Sequence, residues 1–207
     1  MCSATNMAHS SNAAYQDNEE DRLEREHFQK VLRTFRKYKS HGIERVTKCQ
    51  SDFQRLPQNH QKMLPDFIRH LGSIRTCIEH NYEFILQIVK NTDNMFENRE
   101  HGINTGFDLI VPLTSIEMDK VQTTLRQFVR DWSEDGQKER DTDYKPIIEE
   151  IMKRFPPDKC DVSKISVLVP GAGLGRLAYE IAGKGYICQG NEISLFMLFS
   201  SNFILNR

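Results

Sequence analysis

The sequence predicts an α/β protein: a helical N-terminal region over residues 21–160, then the opening βαβα part of a Rossmann-like sheet over residues 161–207. Three observations carry that expectation. Apolar residues recur at helical spacing in four separate stretches between Phe28 and Phe155. A nearly continuous apolar run, Ile165–Val169, then leads into the glycine-rich turn Gly171-Ala172-Gly173-Leu174-Gly175. A second short strand follows, and it ends at the acid Glu192.

Residues 1–20 are rich in Ser, Asn, Ala and acids, with Tyr15 as their one bulky ring. Such a segment buries too little to offset its ordering entropy, so it is expected to be a disordered tail. From Asp21 the pattern changes. Phe28, Val31, Leu32, Phe35 and Tyr38 share one helical face, and Gly42 is expected to stop that helix. The Arg- and Lys-rich opposite face, from Arg22 to Lys39, reads as solvated surface.

Pro57 and Pro65 break the stretch from Phe53 to Pro65. A second helix is predicted over about 66–89 from Leu71, Ile74, Ile78, Ile85 and Val89. Residues 95–112 read as a loop, because Asn, Gly and Pro leave no periodicity. A third helix spans about 115–133, with Ser115 as its expected cap and Val121, Leu125, Phe128 and Trp132 as its buried stripe. A fourth spans about 144–155, with Ile147, Ile148, Ile151 and Met152 inside and Pro156-Pro157 ending it.

Ile165–Val169 has the apolar character of a parallel strand covered on both faces. The crossover helix is expected at 174–184, the second strand at 186–189 and a final helix at 194–206.

Composition narrows the function classes. Net charge is -1, so nothing in the overall balance calls for nucleic acid or an anionic membrane. No apolar run approaches the ~20 residues that span a bilayer. The N-terminus has no basic segment leading an apolar core, so no secretory signal is expected. Cys2, Cys49, Cys77, Cys160 and Cys188 are scattered without a CxxC pair, which suits reduced thiols in a cytoplasmic protein, the nucleus left open. The histidines show no HExxH or Cys/His clustering, so no metal site is expected.

The turn separates two cofactor classes. A dinucleotide fingerprint, G-x-G-x-x-G, places a third small residue where helix and sheet close together. Counted from Gly171, that position is Arg176. The spacing is instead G-x-G-x-G, the form found in class I S-adenosylmethionine methyltransferases. The glycines allow close backbone approach, the following helix aims N–H groups and a positive dipole end at a ligand, and Glu192 stands where an acid accepts hydrogen bonds from a ribose. The plainer alternative is a tight βα turn without a ligand.

Three segments, Val-Pro-Gly-Ala-Gly-Leu-Gly-Arg-Leu-Ala (169–178), Gln-Gly-Asn-Glu (189–192) and Phe-Met-Leu-Phe-Ser-Ser-Asn-Phe (196–203), closely resemble the carnosine N-methyltransferase family. Residues 125–133, with Arg130 and Trp132, resemble that family's helical segment before the sheet, and the resemblance runs from about Glu20 onward. It implies methyl transfer from S-adenosylmethionine to an imidazole nitrogen of a histidine-containing dipeptide. By the same resemblance, Gly171 and Gly173 form the cofactor turn and Glu192 takes the ribose hydroxyls. Gln127 and Arg130 reach the cofactor from the helices, Arg130 pairing with its carboxylate. Without the family, Arg130 reads as an exposed charge beside Asp131. Pro170 stands where many other methyltransferases have an acid, so that contact is missing.

A methyltransferase sheet needs further strands after the second, and Arg207 precedes any of them. The chain is therefore expected to be an N-terminal portion, C-terminally truncated, with an incomplete sheet and no activity alone. The competing function class is a non-catalytic helical module or binding protein.

Overall fold

The first helix is longer than its glycine suggests. In the computed structural model, which describes residues 19–90, 92, 95 and 113–206, α1 runs as Glu19–Gln54, straight through Gly42. The expected tail up to residue 18 and residues 96–112 of the expected loop lie outside the described residues. Gly42 is a packing position and not a stop. A Cβ there would stand 3.0 Å from Ile78 Cδ1, so its absence lets α1 lie close against α3 (Phe67–Lys90). The one-turn helix α2 (Gln58–Gln61) connects them.

Helix α4 (Ser115–Trp132) is capped by Thr114, one residue before the expected Ser115. The Thr114 side chain accepts from the Glu117 N–H, and the Glu117 carboxylate accepts from the Thr114 N–H. Lys30 of α1 pairs with Glu117, which ties the start of α4 to the first helix. Burial of Glu117 works against its charge, but the hydrogen bonds from Lys30 and Thr114 prevail and hold its carboxyl below the usual range.

A short polar helix that the periodicity did not predict, α5 (Gln137–Asp143), precedes α6 (Lys145–Arg154). Its sequence has no apolar stripe, and it is held by Arg140, buried beneath the C-terminus of α4. On α6, Ile148 is buried but Ile147 is 46% exposed, against expectation. Ile148, Ile151 and Met152 turn toward the sheet.

After a 3-10 turn (Val162–Lys164), β1 (Ser166–Pro170) pairs in parallel with β2 (Ile187–Asn191), Ser166 opposite Ile187 and Pro170 opposite Asn191. The crossover helix α7 (Arg176–Gly183) joins them, and α8 (Leu195–Leu205) follows. The expectation that β1 is covered on both faces is not met. Val167 and Val169 pack with Ile148, Ile181 and Tyr186, whereas Leu168 points the other way and is 56% exposed. Nothing among the described residues covers that second face.

Two apolar clusters result. The larger joins α1, α3, α4 and α8 through Phe35, Ile85, Ile88, Val121, Phe199 and Phe203. Ring contacts knit it: Phe28 lies 5.1 Å from Phe199, and Phe84 lies 5.4 Å from Phe203, both edge to face. Such pairs contribute roughly 0.5–1.5 kcal/mol each beyond burial. The smaller cluster fills the space between α6, α7 and the strands. Leu174, from the glycine turn, belongs to the larger one and is fully buried. The turn is thus strung between the two clusters, anchored by Val169 before it and Leu174 within it.

Candidate cofactor site

Gly171, Gly173 and Gly175 all adopt positive φ, at 61°, 56° and 78°. That region costs other L-residues about 1–2 kcal/mol apiece, so the alternation of glycines is a backbone requirement. Gly175 also explains why α7 begins at Arg176 and not at about Leu174, since a left-handed residue cannot continue a right-handed helix. A Cβ on Gly175 would strike Leu205 Cδ1 at 2.8 Å. At Gly171 and Gly173 a Cβ would meet no protein atom within 4 Å. Those two positions border open space, a cradle that side chains would fill.

The last residue of β2 and those that follow it clasp the turn. The Gly171 N–H donates to Asn191 Oδ1 (3.2 Å), and the Ala172 N–H donates to the Asn191 carbonyl (2.8 Å). Glu192 is the centre of the clasp. Its Oε2 accepts from the Gly173 N–H (3.0 Å), and its Oε1 accepts from the N–H groups of Ile193 (2.8 Å) and Ser194 (2.9 Å). One carboxylate therefore binds the turn to the chain entering α8, where the dipole also favours a negative charge. No side chain caps α7, whose N-cap is Gly175, so its first-turn N–H groups keep no capping partner.

Arg176 is used internally. Its guanidinium lies 5.0 Å over the Trp132 ring, bonds to Glu180 (2.7 Å), and donates through Nη1 to the Asp131 carbonyl (3.3 Å). The residue that departs from the dinucleotide fingerprint thus joins the start of α7 to the end of α4.

Arg130 sits in the same junction. Its Nε donates to Asp131 Oδ1 (2.7 Å) and its Nη2 to Asp131 Oδ2 and to the Tyr144 hydroxyl (both 3.3 Å). Tyr144 in turn donates to Asp131 Oδ1 (2.8 Å). The neighbour is the acid expected beside Arg130, but Asp131 is 1% exposed and not solvated. Burial, with the Asp131 hydrogen bond and charge, pushes the Tyr144 hydroxyl up to about 12. The bond to Asp131 raises Arg130 above its already high value. The Arg130 carbonyl accepts from Arg140 Nη1 at 2.6 Å.

Of the sequence-predicted site residues, Gly171, Gly173 and Glu192 are brought together directly. Arg130 reaches the turn only indirectly, through Asp131 and Arg176. Gln127, half-buried one turn earlier on α4, is linked to the turn by no hydrogen bond among the described residues. Sequence reasoning missed Asn191, Asp131, Tyr144 and the internal role of Arg176. Asp131 had a signal: it continues the buried series Val121, Thr124, Phe128 at helical spacing. Two surface grooves, about 480 Å³ beside Leu64, Pro65 and His70 and about 540 Å³ beside Arg36, Ile43 and Tyr82, do not involve the turn.

The cradle fits S-adenosylmethionine on its own chemistry. Space at two Cβ-free positions, unpaired helix N–H groups and an acid at the second strand's end suit a ligand that carries a ribose. A family model described as carnosine N-methyltransferase matches residues 107–207. A carnosine N-methyltransferase of Mus musculus is 57% identical over 189 residues, 91% of this chain and 47% of its own length. One from Schizosaccharomyces pombe is 40% identical over 181 residues, 85% of this chain and 47% of its own. Carnosine N-methyltransferase unmet of Drosophila melanogaster is 37% identical over 207 residues, 91% of this chain and 45% of its own. The chain spans about half the length of the curated relatives it matches.

Proposed function

This chain belongs to the carnosine N-methyltransferase family, and we propose that it supplies the S-adenosylmethionine-binding turn of an enzyme that methylates an imidazole nitrogen of carnosine or a related histidine-containing dipeptide. One observation carries the reading: Gly171 and Gly173 hold positive φ beside open space, and Glu192 closes the turn from across the sheet. When bound, S-adenosylmethionine supplies an electrophilic methyl group on its sulfonium.

The chain's own residues hold that donor. Gly171 and Gly173 let the backbone come close to it. Oε1 of Glu192 is already engaged by two N–H groups, so Oε2, with one, is the oxygen left to accept a ribose hydroxyl. Arg130 offers its guanidinium to the donor's carboxylate, and Gln127 lines the same approach. Methyl transfer also needs an acceptor held in line at near-contact distance, an arrangement worth roughly 7–11 kcal/mol in well-oriented systems. The residues assigned here hold only the donor, so turnover by this chain alone is not expected.

Calorimetric titration of the purified chain with S-adenosylmethionine tests the reading. Saturable binding is expected, and Gly173→Val is expected to abolish it, because a β-branched side chain would fill the cradle and resist positive φ. A folded Gly173→Val variant that binds like the parent would show that the turn does not face the ligand.

A further inference from the structure

We infer that Asp131 and Tyr144 are positioning residues that aim Arg130 at the carboxylate of the methyl donor, an inference that rests on the function proposed above. The guanidinium has five N–H donors in a rigid plane. Two of its nitrogens are engaged on the inner side: Nε and Nη2 grip the two oxygens of Asp131, and Nη2 also meets the Tyr144 hydroxyl. Nη1 has no partner among the described residues, and the side chain keeps 34% of its surface exposed. Arg140, in the same junction, is turned wholly inward: its Nη1 meets two carbonyls, its Nη2 meets Gln137, and its Nε is buried without a partner, whereas the unpartnered nitrogen of Arg130 belongs to a side chain that is one-third exposed.

The support behind the fork is rigid at both levels. The Asp131 carboxylate is buried and also receives the Tyr144 hydroxyl, so it cannot swing away with Arg130. Its main-chain carbonyl accepts from Arg176, the residue that opens α7 directly after the glycine turn. The Arg130 carbonyl is pinned by Arg140. Asp131 thus faces two ways, toward Arg130 with its side chain and toward the cofactor turn with its backbone. It sets the spacing between the free end of the guanidinium and the turn.

Charge and positioning predict opposite signs for one substitution. Asp131→Asn removes a negative charge next to Arg130, which on Coulomb grounds alone would strengthen binding of a carboxylate. If Asp131 acts by holding the guanidinium, the same change frees a long side chain that must be ordered again on binding. S-adenosylmethionine affinity then falls about three- to tenfold. The control ligand is 5′-methylthioadenosine, which keeps the adenosine and lacks the carboxylate.

The experiment measures dissociation constants of both ligands for the parent chain, Asp131→Asn, Tyr144→Phe and Arg130→Gln, with circular dichroism to verify folding. The expected result is weaker S-adenosylmethionine binding in all three variants, smallest in Tyr144→Phe, with 5′-methylthioadenosine unchanged. Equal losses for both ligands, or S-adenosylmethionine binding as tight as the parent's or tighter in Asp131→Asn while Arg130→Gln weakens it, would overturn the positioning role and leave Arg130 in its proposed place. Parent-like binding by Arg130→Gln would remove Arg130 from the site and the inference with it. Absence of S-adenosylmethionine binding by the parent chain would overturn the proposed function first. Should Asp131→Asn not fold, weaker S-adenosylmethionine binding by Tyr144→Phe with 5′-methylthioadenosine unchanged supports the positioning role, and parent-like binding of both ligands by that variant overturns it.

Discussion

Exchanging Glu192 for glutamine keeps the side chain's shape and removes the charge that clasps the glycine turn. The carboxylate accepts three backbone N–H bonds, two on Oε1 and one on Oε2. Glutamine has one acceptor oxygen, so one set loses its partner. If the oxygen stays with Ile193 and Ser194, those bonds fall from charged to neutral strength, a loss of about 1 kcal/mol each, less for the exposed Ile193. The part-buried Gly173 N–H then faces an amide donor, at a cost of about 1–3 kcal/mol. The total is about 2–4 kcal/mol. For a chain of this length each kcal/mol moves the melting temperature by about 2–4 °C, so a fall of roughly 4–16 °C is expected. Calorimetric melting reads the global effect, and amide hydrogen exchange at Gly173, Ile193 and Ser194 reads the local one. A Glu192→Gln variant that melts within about 1 °C of the parent, with Gly173 equally protected, would refute the clasp.

Two further outcomes follow from the packing and the buried charge cluster. Gly42→Ala sets a helix-propensity gain of about 1 kcal/mol against an overpacking cost of about 1–3 kcal/mol at Ile78, so a net loss of up to about 2 kcal/mol is expected in urea denaturation. Gly72→Ala, on α3 with nothing within 4 Å, should gain close to the full propensity term, and equal effects at the two sites would contradict the close α1–α3 approach. The Tyr144 hydroxyl, raised to about 12 from an ordinary 10, contributes stability that is complete below about pH 10 and lost as pH rises through 12. Ultraviolet titration should show a late-ionising tyrosine that disappears in Tyr144→Phe, and an unchanged profile in that variant would assign the late proton elsewhere.

Much of this architecture was legible because it rests on local rules. The apolar stripes of α1, α3 and α4 follow helical spacing, and the positive-φ glycines and Glu192 sit where a βα turn and the next strand's end put them. The misreadings come from tertiary context. Gly42 has the chemistry of a helix stop, and only the approach of Ile78 shows why glycine is there. Helix α5 has no apolar stripe to read, because Arg140 anchors it through carbonyls ten and seven residues away. Leu168 is as apolar as its neighbours, yet its face stays open. At the site, Arg130 reads from the sequence alone as an exposed charge beside Asp131, and only the fold shows Asp131 buried and shared with Tyr144.

The position of α8 within the larger cluster has a consequence for synthesis. Phe199 and Phe203, near the end of the chain, are the rings against which Phe28, Phe35 and Phe84 pack. As the ribosome releases the chain from its N-terminus, α1, α3 and α4 emerge with their shared apolar face uncovered, and about 60 residues separate the end of α4 at Trp132 from Leu195, where α8 begins. Contacts so distant in sequence form slowly, since the intervening loop must close before they contribute. At about 5–20 residues per second, that interval lasts several seconds or more. During it the nascent helices present aromatic surface to chaperones or to one another, and the glycine turn, whose Leu174 enters the same cluster, cannot set until α8 arrives.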